Sequence, residues 1–199
     1  MAEKVIEIPE IKLRRLTVVI VVQTPLITHR FGEKARQEIE SKQQKKATLA
    51  KEARDPEAEF RDSLYVIDIK QEQYGFPAAG IKKALVYGGG RFAAEKMTVL
   101  RGILNVMGDL LEIKGPPPVM RSDPAVIGNG VKTITYRPMF FPWEVSVPIV
   151  FNSTMITEAQ VLNLFQIAGF AIGIGDWRPE KNGTFGQFSI KTEGGVMVE

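Results

Sequence analysis

Few side chains in this sequence could supply nucleophilic, acid–base or metal chemistry. It contains one histidine, His29, and no cysteine. A serine–histidine triad needs an acid partner beside the histidine, and a His/Cys metal cluster needs several ligands, so neither is favoured. We therefore expect a protein that is not an enzyme, with no catalytic residue, no cofactor and no metal. A ribonuclease that uses His29 or a carboxylate stays an open alternative. Its scattered candidate carboxylates are Asp68, Asp109, Asp123 and Asp176.

The run Gly88-Gly89-Gly90-Arg91 is a candidate phosphate-binding turn. Phosphate-binding loops use glycines so that backbone amides can approach the anion, but they end in a spaced GK[ST] or follow a strand as GxGxxG. This run has neither pattern, so it predicts the end of a helix more strongly than a nucleotide site. That helix is expected to begin near Pro77 and to carry Lys82 and Lys83 on its exposed side.

The segment from Gly173 to Gly186 combines glycines with Trp177, Arg178 and Lys181. Glycines allow close backbone approach, an indole can stack on a base, and two cations can meet phosphates, so the mixture suits a nucleic acid. An equally weighted structural interpretation places Trp177 over the core, pairs Arg178 with Asp176 or Glu180, and forms a tight turn at Asn182-Gly183.

Positive charge is concentrated between Lys70 and Arg101. The formal net charge of +3 permits a polyanionic partner without requiring one. That stretch contains six lysines and arginines but only two glutamates. We predict that its basic side chains gather with those of the C-terminal loop into one surface. The predicted nucleic-acid-binding residues are Lys82, Lys83, Arg91, Phe92, Lys96, Arg101, Trp177, Arg178 and Lys181.

Hydrophobic patterning predicts one α+β domain over residues 1–199. The β-branched run from Leu16 to Val22 is typical of a central strand. Thr157 and Gln160 form a capping-box pattern that predicts a helix of about Glu158 to Ala168, ended by Gly169. Without the charged insertion described next, the elements run strand, helix, strand, strand, helix, strand. This order predicts a ferredoxin-like (RRM-like) antiparallel sheet with helices on one face.

Two segments do not fit that simple order. The stretch from Glu33 to Arg54 is rich in helix formers but has a narrow apolar stripe, which predicts a projecting helical insertion at about 31–64. A solvated helix is favoured, and contact with a neighbouring subunit or nucleic acid is the alternative. Two strand-like runs, Val131–Phe141 and Glu144–Val150, flank Pro142 and predict either an antiparallel hairpin or a bent strand.

The sequence gives no sign of a membrane segment or an export signal. Its first residues, MAEKVIEIPEIKLRR, mix acidic and basic side chains where a signal peptide needs an apolar stretch. The most apolar run, Val18 to Val22, is too short to span a bilayer. We therefore expect a cytoplasmic protein with no membrane partner.

Two segments resemble the RAMP superfamily, whose members form the backbone and RNA-processing subunits of CRISPR effector complexes. FPAAGIKKALVYGG at 76–89 resembles their small-residue turn leading into a basic helix. GFAIGIGDWRPEKNGTFGQF at 169–188 resembles their C-terminal glycine-rich loop. The resemblance implies an RNA-recognition-like sheet, binding of single-stranded nucleic acid, and stacking into filaments. The positions that would carry binding are Lys82, Lys83, Arg178 and Lys181.

The whole chain is also similar to a group of small proteins encoded by phages and prophages. The similarity lies in MRSDPAVIGNG, the strand at Trp143, and GDWRPEKNGTFG. It implies phage or CRISPR-like nucleic-acid metabolism in the host cytoplasm. We therefore expect non-catalytic binding of single-stranded DNA or RNA along a basic surface by an oligomer or filament. The alternative is a phage structural or assembly protein that self-associates without nucleic acid, through the helix at 33–54 and the proline-rich segment 115–124.

Overall fold

The computed structural model describes residues 10–44, 54–127 and 130–198. The helices are α1 (Glu33–Gln43), α2 (Pro56–Asp62), α3 (Ala78–Phe92), α4 (Met97–Ile103) and α5 (Glu158–Ile167). The strands are β1 (Leu13–Val22), β2 (Leu26–Ile27), β3 (Val66–Asp68), β4 (Gln73–Pro77), β5 (Leu104–Val106), β6 (Leu110–Lys114), β7 (Val119–Ile127), β8 (Val131–Phe140), β9 (Glu144–Asn152), β10 (Phe188–Ile190) and β11 (Val196–Val198).

The larger sheet is antiparallel and has the strand order β10-β1-β9-β6-β4-β3. β11 also pairs with β1, and β5 also pairs with β9. Within this sheet Ile20 of β1 lies between Val145 of β9 and Ile190 of β10. The predicted central position of the Leu16–Val22 run is therefore confirmed, as is the α+β class.

Helices α3 and α5 cover one face of this sheet. Alternate residues of β9 are buried, and Val145, Val147 and Ile149 lie in one core with residues of both helices. Because side chains alternate across a strand, the residues between them face the other way. Helix packing on this face is what fixes the position of α3 and of the segment that follows α5.

The chain bends between β8 and β9 and passes from one sheet to another. β8 pairs with β7 and β2 in a three-stranded sheet, whereas β9 pairs with β1. The Phe141–Pro142 peptide between them is cis. The predicted hairpin between these two runs is therefore wrong, and the bent-strand alternative describes the chain.

Helix α3 does not end at the glycines predicted to stop it. It continues through 88–90 to Phe92. A Cβ at Gly89 would lie 2.9 Å from Cδ2 of Leu164 on α5, so the glycines allow the two helices to pack closely. The predicted helix end is wrong, because in this tertiary context the absence of a side chain serves packing. The run is also not a turn that could surround a phosphate.

The capping box at the start of α5 is confirmed. Thr157 Oγ1 accepts from the backbone N–H of Gln160 at 3.2 Å, and Gln160 Oε1 accepts from the backbone N–H of Thr157 at 2.9 Å. The predicted helix of about Glu158 to Ala168 is confirmed to within one residue, since α5 ends at Ile167, but the chain does not stop at Gly169 and continues as a π-helical turn, Ala168–Ile172. A Cβ at Gly169 would overlap the carbonyl of Phe188, so this glycine allows close approach to β10.

Two helices lie within the predicted charged insertion. α1 covers the first part of the predicted Glu33–Arg54 helix, and 45–53 lie outside the described residues. α2 begins at Pro56, and Asp55 caps it by accepting from the N–H groups of Glu57 and Ala58. Among the helices that the structure describes, none is long and apolar enough to cross a membrane.

Candidate functional site

A cavity of about 310 Å³ lies between the start of α3, the segment after β2 and the glycine-rich C-terminal loop. Its walls combine aromatic rings, glycine backbone and charged side chains. The ionisable and aromatic side chains that line it are those of His29, Tyr65, Phe76, Lys83, Tyr87, Asp176, Arg178 and Glu180. This is where the described structure brings ionisable and aromatic groups together around accessible space.

The glycine-rich loop is held in place by backbone hydrogen bonds to the segment around β2. The N–H of Asp176 donates to the carbonyl of Ile27 at 2.8 Å, and the N–H of Gly186 donates to that of Pro25 at 2.8 Å. Gly175 has φ +76, and a Cβ there would lie 2.8 Å from Leu26 Cδ1. These contacts fix the loop on the core and place its polar side chains at the cavity.

Trp177 sits in this loop with φ +55, a left-handed conformation that is unusual for a bulky residue. Its side chain is exposed, with the residue retaining 44 % of its accessible surface. The Trp177 carbonyl accepts from the N–H of Phe185 at 3.0 Å. A Cβ at Gly183 would lie 2.7 Å from the Trp177 Cα and overlap its carbonyl, so only glycine fits there. The loop thus leaves the indole exposed instead of packing it over the core.

Glu180 forms salt bridges with two of the predicted basic residues, Arg178 and Arg91. Its side chain is only 3 % exposed and accepts from Arg178 at 2.6 and 2.9 Å and from Arg91 at 3.1 Å. Burial of the carboxyl favours its neutral form, but the hydrogen bonds from Arg178 and the charges of Arg178, Arg91 and Lys181 outweigh this and lower the Glu180 pKa. The cluster joins the end of α3 to the loop and keeps an excess of positive charge.

Helix α3 presents a stripe of polar residues, Lys83, Tyr87 and Arg91, at four-residue spacing on the loop side. The Lys83 ammonium lies 5.4 Å and the Arg91 guanidinium 5.0 Å from the centre of the Tyr87 ring. These separations are within the range of cation–π attraction. Tyr87 therefore holds both cations on the side of α3 that faces the cavity.

Asp176 lies between two further side chains, those of His29 and Arg137. Its Oδ2 lies 3.5 Å from His29 Nδ1 and 3.5 Å from Arg137 Nε. The Arg137 side chain is 11 % exposed, and its Nε has no hydrogen-bond partner among the described residues. Burial raises the pKa of Tyr65, the charge of Asp176 raises it further, and Arg30 opposes this. At neutral pH the Tyr65 hydroxyl, like that of any tyrosine, is protonated and can donate a hydrogen bond.

The remaining predicted residues lie away from this cavity. Lys82 Nζ donates to Asn105 Oδ1 on β5 at 3.1 Å, on the flank of α3 next to α4. Lys96 is the residue that precedes the first turn of α4, and Arg101 is in its last turn. Phe92 is exposed at the end of α3. Of the nine predicted residues, Lys83 and Arg178 line the cavity, Arg91 contacts the cavity residue Glu180, and Trp177 and Lys181 lie in the loop that adjoins it.

Four residues at this site could not be grouped from the sequence: His29, Tyr65, Arg137 and Asp176. They come from four separate segments that only the fold brings together. His29 follows β2, whose short pairing with β8 also positions Arg137. The sequence marks His29 as the single histidine and Asp176 as one of several carboxylates, but it gives no reason to pair them.

The candidate carboxylates do not gather around a common point. Asp123 accepts from Arg121 on the β7–β8 sheet at 2.9 Å, and Asp68 accepts from backbone N–H groups in the turn after β3. In the part of the chain that the structure describes, no group of three His, Cys, Asp or Glu residues could hold a metal ion. Asp176 is the member of the set that lines the cavity.

Comparison of the chain with protein-family models and with curated proteins finds no match. The similarity to RAMP proteins and to phage-encoded proteins therefore stays a prediction.

Proposed function

We propose that this chain binds single-stranded nucleic acid, DNA or RNA, and does not cleave it. The observation that carries the proposal is Trp177, an exposed indole in a left-handed conformation beside a cluster of cations. Such a conformation costs a residue of this kind on the order of 1–2 kcal/mol, and backbone strain concentrates where function needs a side chain in one position. Stacking of a base on the indole is a function that would offset this conformational cost.

The cations beside Trp177 support binding of a phosphate backbone. Arg91, Arg178 and Lys181 surround a single carboxylate, that of Glu180, and Lys83 lies on the same side of α3. Glu180 neutralises part of this charge but also holds the two guanidinium groups in fixed positions. Charged side chains fixed in this way lose less conformational entropy when a phosphate binds.

We also infer that the core of the larger sheet is ferredoxin-like. The order β10-β1-β9-β6 corresponds to the fourth, first, third and second strands of the strand–helix–strand–strand–helix–strand sequence, with α3 and α5 as its helices. β3 and β4 then extend one edge, and β7 and β8 form an insertion between the second and third strands.

The residues on the sheet face opposite α3 and α5 favour a binding path along α3 and the glycine-rich loop instead. Its residues at the centre of the sheet are aliphatic or polar, such as Val21, Ser146, Pro148 and Ser189, which alternate with the buried ones. None of the described residues on this face of β1, β9, β6 and β10 is aromatic. Base stacking needs a ring, and Trp177 supplies one in the loop that Glu180 joins to Arg91 of α3.

Fluorescence anisotropy of a labelled 20-nucleotide dT or rU strand, measured over a salt series, tests the proposal. We expect binding that weakens as salt rises, since cations that neutralise phosphates release counterions. Trp177→Asn should weaken binding about 10-fold, because asparagine tolerates the left-handed conformation but cannot stack a base. Trp177→Phe, which keeps a ring at the same position, should retain most of the affinity.

Two results would contradict the proposal. One is absence of binding to either strand at low salt. The other is equal affinity of the wild-type and Trp177→Asn proteins, provided that both unfold at the same temperature. Release of shorter fragments from the labelled strand would show that the chain cleaves nucleic acid and would contradict its non-catalytic part.

A further inference from the structure

We propose that the cavity beside Trp177 accepts one unstacked nucleotide of the bound strand, with its base inside and its phosphate at Lys83. The inference rests on the proposed function and adds a site to it. Asp176 and Arg178 line the cavity, and Trp177, the exposed residue between them in the chain, is not itself part of the lining. Because Trp177 directly adjoins both lining residues, a base stacked on its indole would leave the next nucleotide of the strand close to the cavity.

The size and shape of the cavity suit one small group. Its volume of about 310 Å³ is at the lower end of the range of roughly 300–1,000 Å³ for pockets that hold small ligands. Gly80 allows the Phe76 ring to pack close to α3 in the cavity wall, because a Cβ there would lie 2.8 Å from Phe76 Cε1. The Phe76 ring and the half-buried Tyr65 ring provide apolar surface for a flat aromatic group.

The charges of the cavity favour an anionic ligand over a neutral or cationic one. Four cationic side chains, Lys83, Arg91, Arg137 and Arg178, lie in it or contact its carboxylates, and the carboxylates are those of Asp176 and Glu180. Among these cations, Lys83 contacts the Tyr87 ring, whereas each of the arginines lies within 4 Å of a carboxylate. Lys83 is therefore the group best placed to meet an incoming phosphate.

The polar groups inside the cavity match the edge of a base. The Tyr65 hydroxyl is a donor, and the Asp176 carboxylate, whose Oδ2 lies 3.5 Å from His29 Nδ1 and 3.5 Å from Arg137 Nε, is an acceptor. Bases carry donors and acceptors on their edges and flat faces above them, and proteins bind unpaired ones through both features. A ligand with an aromatic ring, polar edges and one phosphate is a nucleotide.

The single histidine provides a probe of the cavity that needs no label. His29 lines the cavity, so its two imidazole C–H signals in a proton NMR spectrum of the tag-free protein report on occupancy. We expect adenosine or uridine 5′-monophosphate to shift these signals in a saturable manner. Inorganic phosphate alone and the nucleosides alone should produce smaller shifts at equal concentration, because each lacks half of the contacts.

Lys83→Ala should weaken nucleotide binding about 10-fold. Lys82→Ala is the matched control, because Lys82 is the adjacent residue of the same helix but donates to Asn105 outside the cavity. Lys82→Ala should leave the nucleotide-induced shifts of the His29 signals as in wild type. If both variants lose nucleotide affinity to the same extent, the effect of charge is nonspecific and the proposal is overturned.

Other outcomes separate this inference from the proposed function. If 20-nucleotide strands bind but 10 mM nucleotide leaves the His29 signals unmoved, the cavity site is wrong and the binding function stands. Equal shifts with inorganic phosphate and with nucleotide would also overturn it, since the cavity would then recognise only an anion. If neither strands nor nucleotides bind, both proposals fail.

Discussion

Gly89 of α3 lies directly against Leu100 of α4 and Leu164 of α5, so that a Cβ at position 89 would come within 2.9 Å of Leu164 Cδ2 and closer still to Leu100 Cδ1. Both leucines are buried. One glycine therefore sets the spacing of three helices. Because α3 also carries Lys83 and Arg91, this spacing positions the cations of the candidate site.

Gly89→Ala should destabilise the fold by about 1–3 kcal/mol, because the added methyl group overfills a packed core. This loss should exceed the gain of about 1 kcal/mol that alanine brings to a helix interior. Urea denaturation measures the change. Gly102→Ala is the control: it is in α4, a Cβ there would have no described atom within 4 Å, and the variant should be equally or more stable than wild type. Destabilisation of the control by the same amount would contradict the packing argument.

The features that could be predicted from the sequence are those decided by neighbouring residues. The capping box depends on Thr157 and Gln160 alone, and the start of α2 depends on Asp55 and Pro56. The Leu16–Val22 run predicts a central strand because its apolar side chains need cover on both faces. In each case the physical cause lies within a few residues, so sequence patterns are sufficient.

The features that could not be predicted depend on contacts between distant segments. Glycine usually weakens a helix, yet Gly89 is retained inside α3 because Leu100 and Leu164 occupy the space beside it. Likewise, nothing near His29 in the sequence indicates Asp176 as its neighbour. That pair forms because the C-terminal loop hydrogen-bonds to the segment around β2.

Glu180→Gln should weaken the fold and remove part of its sensitivity to acid. The folded protein lowers the Glu180 pKa below its ordinary value of 4.5, so the stabilisation is present above that pH and is lost as pH falls through the folded-state pKa. The variant should lose about 1–3 kcal/mol at neutral pH, since Arg91 and Arg178 lose their charged partner. Urea denaturation of both proteins between pH 3 and 7 checks this, and the difference between them should shrink toward the acid end. A constant difference across the range would contradict it.

Gly183→Ala should displace Trp177. The alanine methyl group would overlap the Trp177 carbonyl, so the loop must rearrange to accept it. We expect weaker binding of single-stranded nucleic acid and a changed emission maximum of the exposed indole, measured by anisotropy and by tryptophan fluorescence. Trp143 is buried and should contribute an unchanged signal. Thr184→Ala changes an exposed residue of the same loop and should leave both measurements as in wild type.

Tyr65 should titrate later than an ordinary tyrosine in the folded protein. Its burial and the charge of Asp176 raise its pKa above the usual 10.0, with Arg30 opposing, so the unfolded chain ionises first. The contribution of Tyr65 to stability is therefore fully present below about pH 10 and is lost as pH rises through the folded-state pKa. Absorbance of tyrosinate in the ultraviolet should show a late component that Tyr65→Phe removes. Asp176→Asn should move that component to lower pH without removing it, because burial remains. If the late component persists in Tyr65→Phe, it belongs to another of the four tyrosines, and the electrostatic link between Tyr65 and Asp176 across the cavity is wrong.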